Sequence, residues 1–310
     1  MKYIFSTFIL ISIVVHAQTE FTTEEISINE WIDGTLYNAA DKSNVLVLII
    51  PGSGPTDRDG NQPQMPGNSL KFLAEGLVEK GINTFTFDKR FLKQMKSADF
   101  DESKLTFDDM VNDVVEIIDF FKKQKAYQQI YVIGHSEGSL VGMLAAQKTK
   151  IEGFVSIAGP AEPIDVILKQ QITAQAPFLS EETGKILDEL KIGNQVDSIS
   201  PLLQPVFRKD VQPYLISWMK YNPQEEIKKL NCKVLIIYGT KDLQIPQENA
   251  DKLYTTSPNA KLEIIENMNH VMKEISGGES ENYAAYADPK IPVSEKLITA
   301  TAGFIKINYE

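Results

Sequence analysis

The sequence Gly-His-Ser-Glu-Gly at residues 134–138 decides the fold, because it has the form of a nucleophile elbow, a serine between two glycines on a strand-to-helix turn. Residues 129–133 before it are apolar and rich in β-branched and aromatic side chains, as a buried parallel strand requires. Residues 139–147 after it are small and compatible with a helix. The pattern predicts that Ser136 is a nucleophile exposed by a strained turn. The alternative is an inert serine in a glycine-softened turn.

A serine nucleophile needs a base within hydrogen-bond reach, usually a histidine, and this chain has three histidines. His16 lies in the N-terminal apolar segment. His135 directly precedes Ser136, so its side chain is expected to point away from the hydroxyl and to pack under the turn. His270 follows residues 260–266, which have the pattern of a final strand, and it is expected in the loop at the carboxyl end of that strand. His270 is therefore the predicted base.

Asp242 is the candidate for the carboxylate that orients this histidine. It ends a Gly-x-x-Asp turn after residues 233–238, which read as a buried strand, and it lies between the serine and the histidine in the chain. Such an aspartate commonly caps its own turn, but the helix predicted to start near Pro246 begins too late for Asp242 to be its N-cap. The other aspartates considered lie in predicted helical stretches: Asp165, Asp210 and Asp251.

Two backbone N–H groups are also needed to bind the oxygen that becomes negative in a tetrahedral intermediate. The amide of Glu137, the residue after the nucleophile, is one expected donor. The other is expected in the sequence Pro-Gly-Ser-Gly-Pro at residues 51–55, which follows an apolar strand at residues 44–50. Ser53 is the first choice and Gly54 the second, because proline has no N–H. No Gly-Lys-Ser/Thr follows, so a phosphate-binding loop is excluded.

These segments together resemble the α/β-hydrolase fold, and more narrowly the bacterial esterases grouped with the serine aminopeptidase and dienelactone hydrolase relatives. The resemblance rests on the elbow, on residues 51–59, on Phe-Asp-Lys-Arg at residues 87–90, and on the Asp242 and His270 turns. It covers the chain from about Asn44 to the end. The motif set is specific to this fold and not to a substrate. From the predicted catalytic residues we expect a serine hydrolase that cleaves carboxylic esters with short to medium acyl chains through an acyl-enzyme intermediate. Neither a metal nor a cofactor is implied.

The chain departs from the family pattern in two places. Pro51 stands where relatives usually have a histidine, and Phe-Leu-Lys-Gln at residues 91–94 replaces a glycine-rich continuation. Two alternatives to the esterase stay open. One is a peptidase or aminopeptidase of the same fold, which would need carboxylates in the cap to bind the peptide amino terminus. The other is a catalytically inactive binding protein, which would not need the serine, histidine and aspartate side chains. The carboxylates available for the former are Glu162, Glu181 and Glu182.

Strands and helices alternate along most of the chain, which predicts an α/β fold with a mostly parallel sheet and active loops at the carboxyl ends of its strands. Asp-Gly at residues 33–34 lies between two strand-like runs and predicts an N-terminal hairpin of antiparallel edge strands. Residues of about 160–230 are helical and too long for an ordinary connection, and they predict a cap insertion. In it Phe207, Tyr214 and Trp218 are expected either to line the substrate pocket or only to pack the cap on the sheet.

Residues 1–17 have a lysine near the start, an apolar core and a small-residue end, which together predict a signal peptide. The remaining residues, 18–310, are then one hydrolase domain with its cap. A retained anchor helix is the alternative, but the apolar run is short, and Gln18 stands where a lipid anchor would need cysteine. A secreted or periplasmic protein with no stable membrane anchor is expected.

The net charge narrows the classes of possible partner, and the cysteine content limits the possible disulfide and thiol chemistry. The formal net charge of −11 argues against binding to nucleic acid or anionic membranes, since both require basic patches. A small-molecule ester is the expected partner. The only cysteine, Cys232, excludes an internal disulfide, and its place just before a core strand favours a small buried side chain over a second nucleophile.

Overall fold

The structure, a computed structural model, describes residues 21–308, so the predicted signal peptide lies outside the described residues. Its centre is an eight-stranded sheet in the order β1-β2-β4-β3-β5-β6-β7-β8. From β4 to β8 all neighbours are parallel, and β1 and β2 are antiparallel additions at one edge. The strands are β1 Thr22–Ser27, β2 Asp33–Asn38, β3 Val45–Ile50, β4 Asn83–Phe87, β5 Gln129–His135, β6 Gly153–Ile157, β7 Lys233–Gly239 and β8 Ala260–Ile265.

Helices cover both faces of this sheet. In chain order they are α1 Ser69–Glu79, α2 Arg90–Gln94, α3 Phe107–Gln124, α4 Glu137–Lys148, α5 Ile164–Gln175, α6 Ser180–Lys191, α7 Gln204–Phe207, α8 Gln212–Trp218, α9 Pro223–Ile227, α10 Gln247–Thr256, α11 Glu279–Tyr286 and α12 Glu295–Ile307. Among residues 21–308 no helix combines the length and apolar character that a membrane span needs. The predicted fold class is confirmed.

The sheet has an apolar core on each side, and β3, near its centre, is hydrophobic at every position. In β3, Leu46, Leu48 and Ile50 join the core formed with α3, α4 and the cap, while the alternating residues join the core formed with α1 and α12. Side chains of a strand point alternately to opposite faces, so a continuous apolar run is buried on both. The carboxyl ends of these rigid strands therefore provide a fixed platform for loops.

The N-terminal hairpin forms, but the prediction that Asp-Gly at residues 33–34 makes its turn is wrong. Both residues lie in β2, where Asp33 pairs with Ser27 and Gly34 with Ile26. The turn is at residues 28–32, where the side chain of Asn29 accepts hydrogen bonds from the amides of Trp31 and Ile32 at 2.8 and 3.0 Å. An asparagine side chain can close a turn in this way, and this competes with the Asp-Gly signal.

Helices α5 to α9 form the segment between β6 and β7, within the range predicted for the cap. Aromatic rings fasten it to α3. The ring of Trp218 on α8 stacks on that of Phe107 at a centroid distance of 5.1 Å and an angle of 10°. The hydroxyl of Ser217 accepts a hydrogen bond from the Phe107 amide at 2.8 Å. Burial of these large rings holds α8 over the carboxyl end of the sheet.

Candidate active site

Ser136 lies on a sharp turn between β5 and α4, with φ 53° and ψ −117°. Few non-glycine residues adopt a positive φ, so the surrounding structure must impose this conformation. The two glycines of the motif make room for it. A Cβ atom on Gly134 would lie 2.2 Å from the Gly138 carbonyl oxygen, and one on Gly138 would lie 2.6 Å from that of Ile50. Neither position accepts a side chain. Ser136 itself is only partly buried, so its hydroxyl is accessible.

His270 and Asp242 form a buried pair on neighbouring loops. His270 Nδ1 lies 2.8 Å from Asp242 Oδ2, and the two side chains are 4% and 0% exposed. A carboxylate only accepts hydrogen bonds, so Nδ1–H is the donor and Nε2 is left free to take a proton. The second oxygen, Asp242 Oδ1, accepts from the amides of Gln244 and Ile245 at 2.8 and 3.0 Å. Asp242 is thus fixed by its own turn while it orients His270.

His135 connects this pair to the elbow. It is buried beneath the turn, and its Nε2–H donates to the His270 carbonyl oxygen at 2.8 Å, with the two rings 5.0 Å apart between centroids. Burial, and secondly the charge of His270, lower the pKa of His135 to about 4, so it is neutral at pH 7. In the described part of the chain no hydrogen bond joins the Ser136 hydroxyl to His270. Such bonds often tighten only when substrate binds.

The loop at residues 51–55 lies directly against the elbow. A Cβ atom on Gly52 would lie 3.3 Å from Ser136 Cβ and 3.0 Å from His135 Nδ1. The carbonyl of Ser53 accepts from Gln62 Nε2 at 2.8 Å and from the Thr56 hydroxyl at 2.9 Å. These two bonds fix the peptide between Ser53 and Gly54. The loop is therefore held beside the nucleophile, where the oxyanion donor was predicted.

The Glu137 side chain sits in a buried polar cluster that sequence reasoning missed. Its Oε1 accepts from Lys89 Nζ at 2.9 Å and from the hydroxyl of Tyr214 at 3.1 Å. The side chains of Lys89 and Glu137 are 5% and 2% exposed. Burial, and secondly the charge of Glu137, raise the pKa of Tyr214 well above its usual range, so its hydroxyl keeps its proton and donates. The cluster joins three distant segments: the end of β4, the elbow and the cap.

Known proteins resemble this chain in sequence and in fold. A family model described as serine aminopeptidase, S33, matches residues 68–213. The chain is 27% identical to Esterase EstD of Thermotoga maritima over 246 residues. Its structure superposes with a TM-score of 0.60 on Est1E from Butyrivibrio proteoclasticus, at 18% identity and with 92% of this chain and 98% of that one covered. The chain has the α/β-hydrolase fold.

This α/β-hydrolase also resembles an esterase of Pyrococcus furiosus, with a TM-score of 0.57 at 15% identity and with 94% of this chain and 92% of that one covered. At such identities the likeness establishes the fold. The match to the Thermotoga esterase covers 74% of this chain but 55% of that protein, so the chain spans about half the length of that relative. The family model ends at residue 213, before Asp242 and His270.

The cap of this α/β-hydrolase and the elbow enclose a cavity of about 530 Å³. Most of its wall is apolar, and it includes Ser53 and Glu137 from the predicted oxyanion hole; Ser136 and His270 are not among the lining residues. Tyr214 and Trp218 are among the residues that line it. Phe207 does not line it, because its ring is 0% exposed and lies in the core, which fits the second of the two expectations for it, packing of the cap. Its neighbours in the wall are Pro205, Val206 and Arg208.

A second group of residues that the sequence did not reveal braces the His270 loop of this α/β-hydrolase. Asn269 Nδ2 donates to Asn282 Oδ1 at 3.0 Å, and Asn282 Nδ2 donates to the Lys241 carbonyl at 2.7 Å. Helix α11 thereby ties the loop of His270 to the loop of Asp242. Proton transfer needs a precisely placed histidine, and a histidine in a loop depends on supporting hydrogen bonds of this kind for its position.

The described residues of this α/β-hydrolase contain no group of three or more His, Cys, Asp or Glu side chains placed to hold a metal ion. Cys232 is half-buried rather than fully buried, and it packs against the core of the cap side. Burial raises the pKa of its thiol to about 11. A thiol that keeps its proton at neutral pH is a poor nucleophile.

Proposed function

We propose that this protein is a serine esterase that cleaves carboxylic esters with short to medium acyl chains. The observation that carries the proposal is the buried His270–Asp242 pair, fastened through His135 to the strained turn that presents Ser136. Nucleophile, base and orienting acid belong to three loops at one edge of the sheet. Esterase EstD and the two esterase structures that share the fold are consistent with this activity.

In the proposed mechanism Ser136 Oγ attacks the ester carbonyl carbon while His270 Nε2 takes the hydroxyl proton. Asp242 stabilises the imidazolium that forms, and the amides of Glu137 and Ser53 bind the oxyanion. Collapse of this intermediate expels the alcohol, which takes the proton from His270, and leaves the acyl group on Ser136. Water then repeats the sequence and releases the acid.

The cavity beside Glu137 supports the proposed acyl range. Its volume of about 530 Å³ lies within the usual range for small-ligand sites and suits a compact acyl group. The apolar part of its wall includes Leu105, Met110, Val211 and Leu215. Burying each methylene of an acyl chain there contributes roughly 0.8 kcal/mol until the cavity is filled.

The test is the variant Ser136→Ala, assayed on p-nitrophenyl acetate and butyrate. We expect kcat to fall by roughly 10⁶-fold, as for loss of the nucleophile in other serine hydrolases. A fluorophosphonate probe should label the native protein and not the variant. Ser97→Ala, at an exposed serine, is the matched control and should keep full activity. If Ser136→Ala kept full activity, the assignment would be overturned.

A peptidase is the second candidate, because the matching family model is described as a serine aminopeptidase. The carboxylates considered for binding a peptide amino terminus are engaged elsewhere: Glu162 pairs with Lys252, Glu181 with Lys185, and Glu182 accepts from the Ser200 amide. None of them lines the cavity. Assay of aminoacyl p-nitroanilides beside esters separates the two activities. An inactive binding protein is the remaining alternative, and it would leave the fluorophosphonate probe unreacted.

We also propose that the protein is exported and acts on a small-molecule ester, without nucleic acid or a stable membrane anchor. The proposal of export rests on the sequence of residues 1–17, and the partner on the formal net charge of −11 together with the cavity. Mass spectrometry of the protein from a secreting host should find Gln18 as its first residue. A chain that retains residues 1–17 would contradict export by cleavage.

A further inference from the structure

The Glu137 carboxylate carries a negative charge close to the position where the proposed reaction develops a second one. It belongs to the residue whose amide is proposed to bind the oxyanion, so it lies within one side chain's length of the developing negative charge. It is also nearly inaccessible to water, which would otherwise screen it. An unpaired buried carboxylate is costly, and beside an oxyanion it would raise the barrier of the reaction.

Lys89 is the only cation that bonds to Glu137 in residues 21–308. The other charged side chains of the cavity wall have charged partners other than Glu137. Arg90 binds Asp113 and lies 3.7 Å from Asp109, and Arg208 binds Glu102. The nearby His135 is neutral at pH 7. Removal of the Lys89 charge would therefore leave Glu137 without compensation.

We propose that Lys89 is a positioning residue of the active site, which neutralises and holds Glu137 so that the oxyanion hole carries no net negative charge. The proposal rests on the proposed esterase function. Lys89 lies between the end of β4 and the start of α2, so both elements restrict its backbone. Tyr214 donates to the same carboxylate oxygen from α8, which brings the cap into the same network. The ion pair is therefore linked to the cap as well as to the elbow, in addition to the aromatic packing that holds α8.

The experiment compares Lys89→Met, Glu137→Gln and the double variant in ester hydrolysis. In Lys89→Met we expect kcat at pH 8 to fall by roughly 100-fold, the effect of one unscreened charge at about 6 Å, with a smaller change in KM. Glu137→Gln in the same chain removes that charge, so the double variant should recover to within tenfold of the native protein. Lys93→Met, four residues along the chain from Lys89, breaks a partly exposed pair with Asp33; it is the matched control and should keep native activity.

The double variant separates this electrostatic role from a purely structural one. If Lys89 served only to pack its loop, removal of the Glu137 charge would not restore kcat, and both variants would lose activity equally. Native activity in Lys89→Met, or equal losses of kcat in Lys89→Met and the double variant, would overturn the inference.

If Lys89→Met does not fold, the double variant decides alone, and a loss of kcat beyond tenfold would overturn the inference. Failure of the proposed function is distinguishable from failure of this inference. The former leaves the native protein inactive on esters and unlabelled by fluorophosphonate. The latter leaves a native protein that is active and labelled, with variants that do not follow the expected order.

Discussion

Asp242 performs two tasks with its two carboxylate oxygens. One oxygen accepts hydrogen bonds from the amides of its own turn, and the other accepts a hydrogen bond from Nδ1–H of His270. Sequence reasoning treated the turn cap and the orienting acid as alternatives, but both bonds form. A carboxylate has four lone-pair sites, and bonds at one oxygen do not prevent bonds at the other. The turn thus makes Asp242 rigid before it meets the histidine.

The variant Asp242→Asn separates these tasks. Its Oδ1 still accepts the turn amides, but an NH₂ group faces His270 and forces the imidazole into the wrong tautomer. We expect kcat on p-nitrophenyl butyrate to fall by about 10⁴-fold, with little change in the unfolding temperature. Asp251→Asn, at an exposed aspartate of α10, is the control and should be neutral. Activity of Asp242→Asn within tenfold of native would exclude Asp242 as the orienting acid.

The site residues differ in how far the sequence alone could predict them. His270 could be predicted because a chain with three histidines offers few candidate bases. Ser136 could be predicted because the residues of its motif are contiguous in the sequence. The bonds of Lys89 and Tyr214 to Glu137 could not be predicted, because these residues are 48 and 77 residues from Glu137 along the chain and meet it only after folding. The signal for Lys89 was its place in the segment at residues 87–90.

The loop at residues 51–62 forms one rigid element. Arg58 fastens it to the sheet edge through Asp88, with Nη2–Oδ2 and Nε–Oδ2 distances of 2.7 and 3.0 Å. Gln62 bonds both the Ser53 carbonyl and the Thr56 hydroxyl at 2.8 Å. Bonds to the Ser53 carbonyl restrict the movement of Ser53, whose amide is the proposed oxyanion donor, and through the planar Ser53–Gly54 peptide they also fix the direction of the Gly54 amide. The loop is therefore set before substrate arrives, as oxyanion donors require.

We expect Gln62→Met to lower kcat by about tenfold, with KM nearly unchanged, because the loosened peptide weakens oxyanion binding more than substrate binding. Steady-state kinetics on p-nitrophenyl butyrate measure both parameters. Gln64→Met, two residues along the same loop and exposed, is the matched control. A native kcat in Gln62→Met would show that the Ser53 carbonyl needs no such support.

Helix α8 places Trp218 in the wall of the cavity that is proposed to bind the acyl group. We expect Trp218→Ala to raise the ratio of kcat/KM for octanoate over butyrate esters, because removal of the indole lengthens the cavity. The loss of its stacking on Phe107 should also lower stability by about 3–5 kcal/mol. Phe178→Ala, at a cap phenylalanine that is 75% exposed, serves as the control. An unchanged chain-length preference in folded Trp218→Ala would remove Trp218 from the acyl site.

On the scale of the whole molecule, stability and catalysis share one buried group, His135. It packs between the elbow, the loop at residues 51–55 and the His270 backbone. Burial lowers the pKa of His135 from 6.5 to about 4. Between these two pH values His135 is therefore protonated in the unfolded chain and neutral in the folded protein. This contribution to stability is complete above pH 6.5 and is lost as the pH falls towards 4.

The expected loss from His135 over that range is about 3 kcal/mol in the free energy of unfolding. Urea unfolding at pH 7 and pH 4.5 measures it. His135→Gln places an amide donor near the position of Nε2 for the His270 carbonyl but cannot titrate, so its stability should depend less on pH by most of that amount. Equal pH dependence in the native protein and in His135→Gln would contradict the lowered pKa of His135.

The order of strands and helices, the elbow and its histidine were readable in the amino-acid sequence, because each depends on local pattern or on the scarcity of one residue type. The hairpin turn at residues 28–32 and the inward ring of Phe207 were not, because a side-chain bond or a packing choice overrode the local signal. The pairing of the Glu137 carboxylate could be found only in the tertiary structure. The Lys89 cation and the Tyr214 hydroxyl belong to segments that only the parallel sheet and the cap bring together. Because the carboxylate is buried, loss of this one cation would leave its charge uncompensated.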